Sequence, residues 1–155
     1  MTSTNHVVTG AVIALAVKQP GLAIPLAFAS HFVMDAIQHF GIYEDDVLRR
    51  NKSRVFRTAL SIDVPTATAL VFLLPHLAAS QVAWWIVFTS MVAAVAPDFQ
   101  WVVRFIREVR TKQWTQGGRF TRFHQGIQWF EHPVGLIPEL MWLGVMSLLF
   151  ERLVT

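Results

Sequence analysis

The chain contains no cysteine, a single tyrosine and few charges: Asp, Glu, Lys and Arg make up 15% of its 155 residues, against roughly 25% in a soluble domain. The lack of cysteine excludes a disulfide framework and thiolate metal ligands, so any metal must be held by nitrogen and oxygen. The scarcity of charge, with 54% hydrophobic residues, excludes a disordered chain. It also argues against a water-soluble globule, because one small core cannot enclose that much apolar surface. The natural solvent is a bilayer. The excess of 13 Lys and Arg over 10 Asp and Glu is too mild, without a basic stripe, to imply a nucleic-acid partner. No low-complexity tract, linker or internal repeat divides the chain, and residues 1–155 read as one membrane-embedded domain. No positive segment precedes the first apolar run, so a cleavable signal peptide is not expected.

What is present is a series of apolar runs, and these predict an all-α integral membrane bundle of five membrane helices. Residues 7–17 form the first run, roughly 16 Å long as a helix and too short alone for a hydrocarbon core of about 30 Å. The turn Lys18-Gln19-Pro20-Gly21 joins it to a second run over residues 22–40, making an N-terminal helical hairpin. Residues 41–57 read as a solvated loop carrying Glu44, Asp45 and Asp46, then Arg49, Arg50, Lys52, Arg54 and Arg57. The third and fourth runs cover residues 58–79 and 81–103, the fourth interrupted at Pro97-Asp98, and a fifth covers residues 133–150. Between the last two the chain is basic (Arg104, Arg107, Arg110, Lys112, Arg119, Arg122), and residues 119–133 mix aromatics with Arg and His as an interfacial amphipathic segment does. Alternate threading puts the N-terminus and both basic loops on one face, which the positive-inside bias makes cytoplasmic. Trp84 and Trp101 bracket the fourth run roughly 25 Å apart on a helix, the spacing of two aromatic belts.

Ionisable groups in or beside membrane segments are costly and mark candidate functional sites. Here they are His6, His31, Asp35, His39, Asp63, Asp98, His124, Glu131, His132 and Glu139, and the threading carries all of them toward the cytoplasmic face. His76 alone falls on the other side. In Ser30-His31-Phe-Val-Met-Asp35-Ala-Ile-Gln-His39, spacings of four put His31, Asp35 and His39 on one helical stripe. The two histidines are roughly 12 Å apart along the axis, which fits a pair of ions with Asp35 between them better than a single ion. Nitrogen and carboxylate donors suit zinc, manganese or iron. The competing reading makes His31 and Asp35 a buried hydrogen-bonded pair and His39 a helix cap. Asn5-His6 is either ligand or N-cap. Pro97-Asp98 breaks a helix and leaves carbonyls and a carboxylate at one level, suiting Asp98 to metal binding or general-base work, or to pairing with Arg104. Asp63, two residues before Pro65, reads as an N-cap. His124 and His132 complete a site from above, Arg119 and Arg122 suit a phosphate, and the bland alternative for this stretch is a snorkelling anchor. Glu139 is a ligand, a proton shuttle or an arginine partner.

Asn5-His6 with Gly10, the stretch Ser30 to Asp35 followed by His39-Phe40-Gly41, and the later Ala96-Pro97-Asp98 resemble a family of small bacterial membrane-bound metal-dependent hydrolases. That family is similar in motif style to zinc-dependent phospholipase C and related single-strand nucleases. The resemblance covers the first 40 residues best. It implies His6, His31, Asp35, His39 and Asp98 as metal ligands, zinc as the metal, two ions as the number, and a bacterial inner membrane as the location. The chain departs from the pattern in placing Pro-Asp after the His/Asp stretch and in lacking the family's His-Arg and Thr-His-Ser elements, for which His124 and His132 are the nearest substitutes. The function expected is hydrolysis of a phosphoester, such as a lipid headgroup reached from the cytoplasmic leaflet. A metal-activated water would attack, with Asp98 or Glu139 as base and Arg119 and Arg122 as phosphate ligands. The alternatives are a non-catalytic protein in which the polar residues bind metal or pair helices, and haem ligation by paired histidines. A transport path would need polar residues through the whole membrane, and the outer half offers little beyond Ser, Thr and His76.

Overall fold

The computed structural model describes residues 1–41, 53–111 and 117–155. The charged residues Glu44, Asp45, Asp46, Arg49, Arg50, Lys52 and Lys112 therefore lie outside the described residues. Everything described is helix and connection, without a strand. Helix α1 (Ser3–Val17) and helix α2 (Pro20–Asp35) form the expected hairpin. Lys18 turns the chain in the left-handed region (φ 59°) while its N–H bonds Ala14 O at 2.8 Å, and Pro20 starts α2 where a missing N–H costs nothing. Helix α3 (Arg54–Leu77) is N-capped by the Ser53 hydroxyl on Phe56 N. Helix α4 (Trp84–Val95) passes through a single tight turn at Ala96–Asp98 into α5 (Phe99–Thr111). A short α6 (Arg119–Ile127) and a second tight turn, Pro133–Gly135, lead into α7 (Leu136–Val154). The basic stretch expected to begin a loop at Arg104 is helical through Thr111 instead. There Arg104 bonds Glu108 at 2.7 Å, one turn on, and both side chains are buried.

Among the described residues, three helical stretches are long and apolar enough to cross a membrane: Arg54–Leu77, Trp84–Glu108 and Pro133–Val154. Phe72 and Leu73 on α3 and Met141 and Leu148 on α7 are more than half exposed, as the lipid-facing side of a membrane helix is. Helix α1, the other expected segment with a short run, has 15 residues, roughly 22 Å, and lies in the middle of the bundle. It packs against α2, α3, α4 and α7, and Val7, Val8, Ala11, Ala14 and Leu15 are at most 4% exposed. A helix that is apolar all round is buried on all sides, and here protein does the burying. The approach to α4 is close enough to require Gly10: a Cβ there would meet Ser90 O at 2.8 Å and Met91 Cα at 2.9 Å.

This packing sets the level of the polar residues. Asp63, expected to cap its own helix, sits inside α3 and caps α1 instead, its two carboxylate oxygens accepting from Ser3 N (2.8 Å) and Thr4 N (2.9 Å). Glu139, in the first turn of α7, reaches the same end of α1. Its Oε1 accepts from Thr2 N at 3.1 Å and Phe40 N at 3.2 Å, and its Oε2 from Asn5 Nδ2 at 3.3 Å. Carboxylates at a helix N-terminus meet both unpaired N–H groups and the positive end of the dipole.

Candidate metal centre

His31, Asp35, Asp98 and His124 converge on one point: a donor atom from each lies within 4.8 Å of the other three. They come from α2, the turn after α4, and α6. His31 and Asp35 are one turn apart, so the spacing of four puts both on the same stripe, with His31 Nε2 to Asp35 Oδ2 at 3.2 Å. His124 Nε2 lies 3.0 Å from Asp35 Oδ2 and 2.9 Å from His31 Nε2, and Asp98 Oδ1 is 3.6 Å from His31 Nε2. Three of the four are buried, while the Asp98 side chain keeps 30% of its surface. Asp98 thus forms the open edge of the cluster, facing His31 and leaving Arg104 to Glu108.

The orientation of His31 follows from Pro97. Around this turn the chain pairs every third residue, Ala96 N with Ala93 O and Phe99 N with Ala96 O. The donor for Ala94 O in that pattern would be the N–H of residue 97, which proline lacks. His31 Nδ1–H takes the carbonyl instead, at 2.7 Å. With Nδ1 carrying the proton, the Nε2 lone pair points into the cluster, the arrangement a metal-ligating histidine uses.

His124 is set from the other side. Its Nδ1 meets the Gln100 side-chain amide at 3.0 Å, and Gln100 is in turn held by the Thr121 hydroxyl at 2.9 Å. The Gln128 amide donates to Asp35 Oδ2 at 2.9 Å. Gln100, Thr121 and Gln128 escape a search for ionisable residues because they carry no charge. The detectable signal is spacing: Gln128 follows His124 by one turn, and Gln100 follows Asp98 closely.

The remaining candidates fall into three groups. His6 stacks on His31 with ring centroids 4.0 Å apart and lies 3.2 Å from Asp35 Oδ1 through Nε2, while its buried Nδ1 has no partner among the described residues. The Met1 amino group also contacts Asp35 Oδ1. So the two oxygens of Asp35 face different ways, Oδ2 toward His31 and His124, Oδ1 toward His6. His39 is near but off the stripe expected of it, because α2 ends at Asp35. The backbone beyond is taken by tertiary partners: His39 O accepts from His132 N, and Phe40 N donates to Glu139. His39 Nδ1 bonds Ile37 O at 2.7 Å and its buried Nε2 has no partner among the described residues. Outside the cluster stand His132, exposed, whose Nδ1 accepts from Val134 N at 3.2 Å to start the Pro133 turn, and Arg119 and Arg122, exposed on the helix that carries His124. His76 is exposed near the end of α3, far along that helix from Asp63.

The donor set fits a metal ion. Two imidazoles and two carboxylates are a nitrogen and oxygen set suited to a divalent transition metal. A tetrahedral ion with bonds of about 2.1 Å separates its ligand atoms by roughly 3.4 Å; four of the six separations run from 2.9 to 3.6 Å, and all lie within 4.8 Å. Comparison with protein-family models, curated proteins and solved structures gives no match.

Proposed function

We propose that the protein is a membrane-embedded metal-dependent hydrolase that cleaves a phosphoester. The observation that carries this reading is the convergence of His31, Asp35, Asp98 and His124 from three separate elements, with the His31 Nε2 lone pair aimed into the cluster by the Ala94 carbonyl. Zinc suits the donors best, and a second ion at Asp35 Oδ1 and His6 Nε2 would displace the Met1 amino group that contacts Oδ1. A divalent ion bound here supplies a Lewis acid and an activated water for attack at phosphorus. Asp98, the one partly exposed member, accepts the proton that the attacking water loses as its oxygen joins phosphorus and the bond from phosphorus to the ester oxygen breaks. Arg119 and Arg122, on the same helix as His124, neutralise the phosphate, and Glu139 holds the first turn of α1 against the site. We place α1 and α2 within the bilayer together with the three longer helices, and the site at the cytoplasmic face of a bacterial inner membrane, the side to which the positive-inside bias assigns the basic stretches. The motif resemblance points the same way.

The same separations are also hydrogen-bond lengths, which favours a second reading, a polar scaffold that pairs helices without metal. Elemental mass spectrometry of the detergent-purified protein separates the two. Hydrolysis predicts one or two equivalents of transition metal, lost in Asp35→Ala and kept in His76→Ala, together with turnover of a soluble chromogenic phosphodiester that disappears in Asp98→Asn. A folded, colourless sample that takes up no metal after reloading favours the scaffold and overturns the hydrolase.

A further inference from the structure

A cavity of roughly 630 Å³ opens between α3 and α7, against the first turn of α1. Its walls are apolar along most of their length, with Ala59 and Ile62 from α3 facing Leu140 and Leu143 from α7. It runs along α3 from Arg54 to Thr66, roughly 18 Å of helix, slightly more than half of a hydrocarbon core of about 30 Å. The trough therefore extends through one leaflet. Both flanking helices are long and apolar enough to span a membrane, and a trough between two such helices suits an apolar chain.

Its polar groups are unequal and lie at different levels, the two carboxylates toward the Thr66 end and Arg54 at the other. Asp63 and Glu139 line the trough, but their oxygens are engaged by backbone N–H groups of Ser3, Thr4, Thr2 and Phe40. Arg54, at the mouth, is exposed and has no acidic partner among the described residues. An apolar trough one leaflet deep with an unneutralised guanidinium at its rim is complementary to one acyl chain below an anionic phosphate. We propose that this groove binds a single anionic phospholipid, its tail between α3 and α7 and its phosphate on Arg54. The first turn of α1 separates groove from metal centre: Asn5 lines the groove, and His6, the next residue, meets Asp35. The groove wall and the cluster thus share the first turn of α1, while a phosphate on Arg54 would lie roughly 14 Å along α3 from Asp63 at that turn. The binding claim stands on the groove alone, and only its link to hydrolysis rests on the reading above.

The test is native mass spectrometry of the full chain in detergent, titrated with phosphatidylglycerol or with phosphatidylcholine of the same chains. Chelator is present so that metal plays no part. One phosphatidylglycerol per chain is expected to be retained at least fivefold more strongly than phosphatidylcholine. Arg54→Gln is expected to abolish that preference while leaving weak binding of both lipids, and Ala59→Phe, which fills the trough, to remove both. Thr66→Phe fills the deeper end and carries the same expectation should Ala59→Phe not fold. Equal retention of the two lipids by the unaltered protein, or retention unchanged in Arg54→Gln and the folded trough variant, shows only annular lipid and overturns the proposal. Loss of lipid selectivity with metal content and phosphodiester turnover intact would remove the groove and leave the hydrolase, while the reverse pattern would do the opposite.

Discussion

At one end of α1, Asn5 and His6 are as deeply buried as Ala14 and Leu15 are near the other, but different forces hold them. The Leu15 end is an apolar contact with Ala23 and Val87 nearby in the same core, and burying such a side chain stabilises by roughly 1.5–3 kcal/mol. The His6 end is held by carboxylates from three other helices, Asp35, Asp63 and Glu139. Buried polar groups cost free energy unless every partner is present, and a buried ionic network is often no more stable than a well-packed apolar one. Stability alone therefore explains the Leu15 end and leaves the His6 end to be explained by chemistry.

Substitutions can break that contrast or sharpen it. Gly10, midway between the two ends, is the point where α1 touches α4 backbone to backbone, and Gly10→Leu should destabilise by about 3 kcal/mol through overpacking. The thermal unfolding midpoint in detergent reads this, and an unchanged midpoint would mean that the helices do not approach so closely. His124→Phe should lower that midpoint by less than Gly10→Leu does, because Asp35 keeps His31 and Gln128 as partners, while metal content falls more than tenfold. Acidification acts on the polar end alone. Ligand nitrogens must shed their protons to bind, so taking the protein from about pH 7.5 to about pH 5.5 should weaken metal binding by roughly tenfold or more, which a competing chelator titration measures. The smallest effect belongs to Glu139→Gln. It keeps the acceptor oxygen for Thr2 and Phe40 but loses the charge, and a loss of about 1 kcal/mol in stability with metal retained is expected. Loss of metal in that variant would instead make Glu139 a ligand.

How far these features were legible in the sequence depends on which force placed each residue. The hairpin and the pairing of His31 with Asp35 follow from local rules, a Pro-Gly turn and a spacing of four, and local rules are visible in one sequence. The end of α2 was not, because it is set by Glu139 and His132 binding the backbone of residues 39 and 40 from nearly a hundred residues away. This is why the expected stripe stops short of His39. Composition also could not distinguish α1, enclosed by protein, from α3, facing outward, since lipid and protein interior select the same side chains. Asp63 was recognisable as a capping residue, but the helix it caps is known only once α1 and α3 are side by side. The uncharged supports, Gln100, Thr121 and Gln128, had no signal beyond spacing.

The missing hydrogen of Pro97 reaches further than its own turn. Because the ring deletes one N–H, a carbonyl on α4 is left to select which of two otherwise equivalent protonation isomers His31 adopts on α2. That selection is made as the chain folds, before any ligand arrives. The direction of a lone pair is thereby inherited from a backbone atom that is not there, and an arriving ion would meet a nitrogen already aimed.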